Sequence, residues 1–133
     1  MLEREDESNA IPECERAGLA YLPYFPLASG LLTGKIRKGH SVPAGTRIAD
    51  VGWLKEKLTE RNLSSVERLI AFAAERRHTI LELAISWLLR LPVVSSVIAG
   101  ATSAEQVRAN AAAASWSLSA SDLATIEGIL SRG

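Results

Sequence analysis

The chain has 133 residues, 47% of them hydrophobic, and its 15 Lys plus Arg balance 15 Asp plus Glu, leaving no net charge with both histidines neutral. That length supports one small core, burying roughly two-thirds of the unfolded surface if the chain folds alone, and hence one domain at most. Without a basic run or an aromatic-interleaved basic stripe, nucleic acid is not expected as a partner. No membrane span is expected either, because the longest apolar stretch, around Leu19 to Leu32, is interrupted by two prolines and falls short of the ~20 residues required.

The first residues, MLEREDES, are charged where a signal peptide would be apolar. The single cysteine, Cys14, has no partner for an internal disulfide, which agrees with a reducing cytoplasm as the expected location. It also lacks a neighbouring histidine and reads as an ordinary helical thiol. Asn9 is placed to cap a short helix with Pro12 in its first turn, and Gly18 stops it.

Leu19 to Tyr24 is dense in aliphatic and aromatic residues, as a strand buried on both faces would be. Pro26 has no N–H to give a ladder and ends it. Ala28, Ser29, Gly30 and Gly34 then keep side chains small near the backbone, and Lys35 offers a compact cation suited to phosphate. This is an anion-cradle pattern, although it matches no P-loop spacing; an ordinary βα turn whose glycines serve only turn geometry is the alternative. A polar loop, IRKGHSVPAGTRIADVG, comes next and is too long for a simple connection, so it is expected to be functional or disordered.

Helical periodicity takes over from Trp53. Leu54 and Leu58 share one face, and Val66, Leu69, Ile70, Ala73 and Ala74 make a second stripe. His78 ends that helix as a C-terminal cap, with no second histidine or carboxylate placed to make a metal site. Thr79 and Glu82 form a capping box, and Leu81, Ala84, Ile85, Leu88 and Leu89 continue a helix until Pro92. A β-branched run, Val93 to Ala99, predicts a second strand. It stops at Gly100, and Ser103 with Gln106 forms a capping box for the next helix, whose free amides and positive dipole end suit a phosphate unless Ser103 is only a cap. Ala109 to Ala114 extends this helix with small residues. Trp116 and Leu118 anchor the turn after it, and Ser119 with Asp122 caps a last helix lined by Leu123, Ile126 and Leu130.

Both expected strands end in the same kind of loop. Barrels of the (β/α) type often build a phosphate site from the loops after their last two strands and an extra helix N-terminus. With helices between them, the two strands are expected to be parallel neighbours in one sheet.

PYFPLASGLLTGK and VIAGATSAEQVRAN resemble the two cofactor-binding segments of the aldo/keto reductases, NADP-dependent enzymes built on a (β/α)8 barrel, and LERE resembles the segment just after that family's sixth strand. The resemblance runs in order along essentially the whole chain. It implies an α/β fold, the C-terminal portion of a (β/α)8 TIM barrel, incomplete on its own. Two strands leave open hydrogen-bonding edges, so the chain is expected either to complete a barrel with strands from elsewhere or to be a truncated product of poor stability.

Residue by residue, the resemblance implies that Tyr24 stacks on the nicotinamide ring. Phe25 stands where a serine is common. Pro26, Leu27, Ala28, Ser29 and Lys35 match the loop over the pyrophosphate, and Arg47, in the long loop that folds over the cofactor, supports the pyrophosphate or adenosine phosphate. His40 nearby reads as a solvated loop side chain. Gly100, Thr102 and Ser103 match the 2′-phosphate end, while Gln106 and Asn110 match positions that hold the adenosine. Ala109 departs from the acid that often precedes that asparagine. A lysine, an arginine and two hydroxyls favour NADP over NAD.

The family's catalytic aspartate, tyrosine, lysine and histidine come from the first half of the barrel, and none carries over; Tyr21 and Tyr24 sit in no matching motif. The expected function is thus the cofactor-binding part of an oxidoreductase acting on a small carbonyl substrate, inactive by itself, its partner being the N-terminal barrel half or another subunit. A non-catalytic NADPH-binding or interaction module is the alternative, and half of an unrelated sugar-phosphate-binding (β/α) barrel is a third.

Overall fold

The computed structural model describes residues 1–131. Among the described residues, six α-helices carry the architecture: α1 (Ala10–Ala17), α2 (Arg47–Asp50), α3 (Glu60–Glu75), α4 (Ile80–Leu89), α5 (Ala104–Ala112) and α6 (Ala120–Ser131). Short 3-10 turns at Glu5–Glu7, Ala28–Thr33, Gly52–Lys57 and Ala113–Ser115 join or extend them.

The helix ends follow local hydrogen-bond chemistry. Thr79 and Glu82 form a full capping box on α4. Ser119 and Asp122 do the same for α6, with Asp122 N–H donating to Ser119 Oγ at 3.2 Å and Ser119 N–H donating to Asp122 Oδ2 at 3.0 Å. Gly18, at φ +65°, ends α1 with the Leu19 N–H reaching back to the Cys14 carbonyl at 2.9 Å. Asn9 occupies the N-cap position of α1 but makes no cap with its side chain, which donates backwards to the Glu5 carbonyl instead. The helical pattern expected from Trp53 onward divides in two, a 3-10 turn and then α3, because Thr59 restarts the helix by accepting the Asn62 N–H at 3.1 Å.

α3 packs between α4 and α6, and α4 is buried almost all round. Leu83, Ala84 and Trp87 of α4 meet Val66, Leu69, Phe72 and Ala73 of α3 and Ile126 and Leu130 of α6 in one core, with Leu31, Leu32, Ile36, Ile48 and Leu54 closing it from the loop side. Ala73 of the expected α3 stripe is buried, whereas Ala74 faces solvent and Phe72 takes its place. Trp116 is an anchor, as expected: it stacks on His78 with ring centroids 4.1 Å apart and lies 6.4 Å from Phe72. His78 also bonds Glu82 at 3.1 Å, so it is fixed by its ring as well as by its place after α3.

The charged N-terminal residues have more structure than their sequence suggests. Arg4 bonds Glu7 and Glu127, and Arg90 bonds Glu7 at 3.3 Å; the guanidinium groups of Arg4 and Arg90 lie 5.5 and 3.6 Å from the Trp87 ring centroid. This cluster ties the segment before α1 to α4 and α6.

The two expected strands require correction. Among the described residues, no strand forms; the segments Leu19–Tyr24 and Val93–Ala99 meet at one isolated parallel bridge, Tyr21 with Val94, where Tyr21 N–H donates to the Val93 carbonyl at 2.8 Å. The expected parallel neighbourhood is present, but not the ladder. Each segment has only one neighbour, and a parallel pair without further strands has too few bonds to stay extended. Nor is the first segment buried on both faces: Leu19, Leu22 and Tyr24 are 62, 52 and 81% exposed, and Ile98 of the second is 68% exposed.

α3 ends in a Schellman motif, with His78 N–H bonded to the Ala73 carbonyl and Arg77 N–H to the Ala74 carbonyl. The left-handed position is held by Arg77, at φ +62°, rather than by glycine. Left-handed backbone costs a residue with Cβ roughly 1–2 kcal/mol, part of which glycine gives back through its freer unfolded chain. Arg77→Gly is therefore expected to raise stability by about 0.5–1 kcal/mol, read as a higher urea midpoint with an unchanged slope.

Candidate functional site

A cleft of about 570 Å³ opens where the two bridged segments end. Its floor comes from the turn after the first segment. Phe25, Ala28 and Ser29 all adopt left-handed backbone, at φ +49°, +47° and +59°, followed by Gly30 at +105° and Gly34 at +80°. Three non-glycine residues in this region within five positions concentrate strain, and such strain persists only where the surroundings over-determine it. Thr33 stabilises the end of the turn by donating to the Gly30 carbonyl at 2.7 Å.

Of the sequence-predicted site residues, all but Ala28, Ser103 and Asn110 line this cleft. Tyr24, Phe25, Pro26, Leu27, Ser29 and Lys35 come from the first loop, Arg47 from the long loop, and Gly100, Thr102 and Gln106 from the second segment's end. Ala28 instead lines a smaller neighbouring cavity beside Trp87. Ser103 is the N-cap of α5 and accepts the Gln106 N–H at 3.2 Å. The expected box is shifted by one residue, because Gln106 Oε1 takes the Thr102 N–H at 2.8 Å and the Thr102 hydroxyl at 3.2 Å. Both hydroxyls at this end are thus engaged in ordering the turn. Asn110 donates to the Ala99 carbonyl at 3.5 Å and ties α5 to the segment before it.

Two cations in the cleft are uncommitted, and a buried hydroxyl beside them is unsatisfied. Ser29 is 6% exposed, and its Oγ has no hydrogen-bond partner among the described residues. A buried hydroxyl left unpaired costs free energy, about 1–3 kcal/mol, that a ligand acceptor or donor would recover. Lys35 and Arg47 form no ion pair among the described residues. Two uncommitted cations and an orphaned hydroxyl suit the phosphate oxygens of a nucleotide. The apolar part of the lining, Leu22, Tyr24 and Ile98, suits a ring system.

The long loop from 36 to 51 is a strap fastened to the rest of the fold. Ile36 and Ile48 are buried, at 2 and 0% exposure. Arg37 grips Glu67 of α3 with two bonds, Nε to Oε1 at 2.8 Å and a guanidinium nitrogen to Oε2 at 2.6 Å, and the Lys38 N–H joins the same carboxylate at 2.9 Å. Lys38 Nζ also pairs with Glu60 and bonds Ser64. Farther along, the Arg47 guanidinium lies 5.0 Å from the Phe25 ring centroid, and Trp53 packs on Phe25 at 6.2 Å. Phe25, placed where a serine is common, therefore meets the strap with its ring. His40 is an exposed loop side chain, its Nδ1 near the Lys38 carbonyl. Gly45, Thr46 and Thr33 also line the cleft and were not among the expected residues; their only sequence signal is proximity to Lys35 and Arg47.

Paired, parallel segment ends carrying a cationic loop, a helix start and a strap line one cleft, an arrangement of the kind (β/α) barrels build at the C-terminal ends of their strands. The sequence matches the aldo/keto reductase family over residues 1–131, and the chain belongs to that family. It is similar to the NADH-specific methylglyoxal reductase of Escherichia coli K12, with 35% identity over 122 residues, covering 92% of this chain and 37% of that protein. It is also similar to a probable voltage-gated potassium channel subunit beta of Oryza sativa, with 38% identity over 107 residues, covering 78% of this chain and 32% of that one. Among solved structures, the glycerol dehydrogenase of Gluconobacter oxydans superposes with a TM-score of 0.79 at 25% identity, covering 98% of this chain and 39% of the other. The shared fold is that of the (β/α)8 barrel enzymes, and the chain spans about a third of the length of the proteins it matches. No helix among the described residues is long and apolar enough to cross a membrane.

Glu67 gives a pH test of the strap. Its hydrogen bonds from Arg37, opposed by a smaller effect of burial, lower its carboxyl from the ordinary 4.5 to about 2. A lowered folded-state value means that the pair contributes stability above about pH 4.5 and loses it as pH falls towards 2. The difference in urea midpoint between the parent and Glu67→Gln is therefore expected to be full at pH 6 and to vanish across that interval.

Proposed function

We propose that this chain is the cofactor-holding part of an NADP-dependent oxidoreductase of the aldo/keto reductase type. The observation that carries this is the convergence of Lys35, Arg47 and the unpaired Ser29 Oγ in one cleft at the ends of two parallel segments. Lys35, Ser29 and Arg47 would hold the phosphates, Tyr24 and the apolar wall the nicotinamide, and Thr102 with Gln106 the adenosine end. The nicotinamide supplies or accepts the hydride that interconverts a carbonyl and an alcohol. Two uncommitted cations favour the more highly charged NADP over NAD.

The proton for carbonyl reduction is proposed to come from elsewhere in the barrel. Tyr21 lines the neighbouring cavity, not the cleft, and burial together with its hydrogen bond to Asp6 raises its hydroxyl to about 12, a poor acid near neutrality. The exposed Leu19, Leu22, Tyr24 and Ile98 on segments with unpaired edges suit the remaining strands of a barrel, from an N-terminal half or another subunit, working in the cytoplasm on a small carbonyl compound. The same exposed apolar residues favour, as second reading, an interaction module that binds the cofactor without turnover.

The test is a thermal melt with NADPH, NADH or a sugar phosphate. A ligand specific to the folded state adds about 2.7 kcal/mol of stability at a hundredfold excess over its dissociation constant. NADPH is expected to raise the midpoint more than NADH, and Lys35→Met to abolish most of the rise. A rise with sugar phosphates alone would refute the reading in favour of an unrelated barrel. When the rest of a barrel is supplied, carbonyl-dependent NADPH oxidation identifies the enzyme, and binding without oxidation identifies the module.

A further inference from the structure

Besides the burial of Ile36 and Ile48 in the core, the strap that carries Arg47 is held by two contacts outside the core, at Glu67 and at Phe25, and neither of these residues is expected to touch a ligand through a charge of its own. At the base, one carboxylate, Glu67, takes three hydrogen bonds from Arg37 and Lys38. Lys35 lies immediately before this fastening, so fixing the base also fixes where that cation leaves the turn. At the far end, Arg47 rests over Phe25 at 5.0 Å, and Trp53 backs the same ring at 6.2 Å. Between the fastenings, Gly39 and Gly45 stand in left-handed backbone at φ +76° and +72°, with nothing within 4 Å of a Cβ added at either. The strap is thus open around both glycines, with Val42 between them packed against the core and its ends pinned.

Phe25 itself is strained, at φ +49°. A bulky residue in that region calls for compensating contacts, and the ring's three partners, the Arg47 cation, the Trp53 indole and the Tyr24 ring 4.1 Å away, provide them. A serine at this position has no aromatic face to offer Arg47. The guanidinium has no ion-pair partner among the described residues, so its charge is held at the cleft by a ring that does not neutralise it. A carboxylate there would seat Arg47 equally well but cancel the charge an anion needs.

We propose that Phe25 and Glu67 are positioning residues for the cationic side of the cleft, Phe25 seating Arg47 and Glu67 fixing the strap that carries it. The contribution to ligand binding rests on the dinucleotide reading above; the mechanical part does not. With Phe25→Leu, which keeps apolar volume but removes the ring face, Arg47 loses its seat. With Glu67→Gln, which keeps shape but removes the charge, the base loosens. Phe25→Tyr keeps the face and restores the parent behaviour.

The experiment is limited trypsin digestion of the 133-residue chain, tracking cleavage after Lys38 and Arg47 by mass spectrometry, alongside NADPH titration of the same variants. Circular dichroism confirms that each variant retains parent helicity. Without ligand, Phe25→Leu is expected to speed cleavage after Arg47 about fivefold, and Glu67→Gln to speed cleavage after Lys38, with Phe25→Tyr at the parent rate. NADPH affinity should fall about fivefold in Phe25→Leu, and Arg47→Met should have little further effect in that background. Cleavage rates unchanged in both Phe25→Leu and Glu67→Gln would overturn the proposal, as would additive losses of affinity from Phe25→Leu and Arg47→Met. Faster cleavage in a chain that binds no dinucleotide would support the strap's fastening and overturn the cofactor reading instead.

Discussion

One backbone hydrogen bond, from the Tyr21 N–H to the Val93 carbonyl, brings together the two loop systems of this chain. Seventy-odd residues of sequence separate them, and the cleft exists only where their ends meet. The bond itself is worth little, about 0.5–1.5 kcal/mol net. Its register is enforced from behind by α4, whose Trp87 is buried at 1% exposure between Arg4 and Arg90 and lies beside both bridged segments. The helical core thus acts as the template on which the segments are held parallel, and the segments in turn present their loops on one side.

Charge is partitioned along the strap with a consistent logic. Arg37 and Lys38 are engaged by α3, where Glu67 and Glu60 neutralise them. Lys35 and Arg47, one on either side, remain uncommitted and line the cleft. Two anchored cations are thus flanked by two uncommitted ones along a short stretch whose charge, read as composition, looks uniform. The strain in the floor fits the same division. Left-handed residues at Phe25, Ala28 and Ser29 are unfavourable in isolation, and the buried, unpaired Ser29 hydroxyl adds to that cost. Strain of this kind is concentrated in the turn that lines the cleft, beside an otherwise well-satisfied core.

The reduction of two expected strands to one bridge follows from numbers of neighbours rather than from propensity. Val93 to Ala99 and Leu19 to Tyr24 are rich in the residues that favour extended structure. Strand formation nevertheless needs partners on both edges of a parallel pair and cover on both faces, and here Leu22, Tyr24 and Ile98 stand in solvent. In a (β/α)8 barrel each such strand lies between two others. Sequence periodicity reports what a segment is suited to, and the neighbours decide whether it is realised.

Signals that act within about four residues were determined by the sequence itself. The Thr79 and Ser119 boxes and the Gly18 stop all follow from hydrogen bonds or backbone geometry between near neighbours. Where a local signal had two partners within reach, as Gln106 had in Thr102 and Ser103, the choice depended on the folded turn. Contacts of long sequence separation were decided by the tertiary structure alone. Glu67 meets Arg37 thirty residues away, Arg4 meets Glu127 across 123, and Phe25 meets Arg47 and Trp53 through the fold. The physical reason is that charge and aromatic faces are indifferent to sequence distance: any of several acids could have paired with Arg37, and only the packing of α3 against the loop brings one within 3 Å.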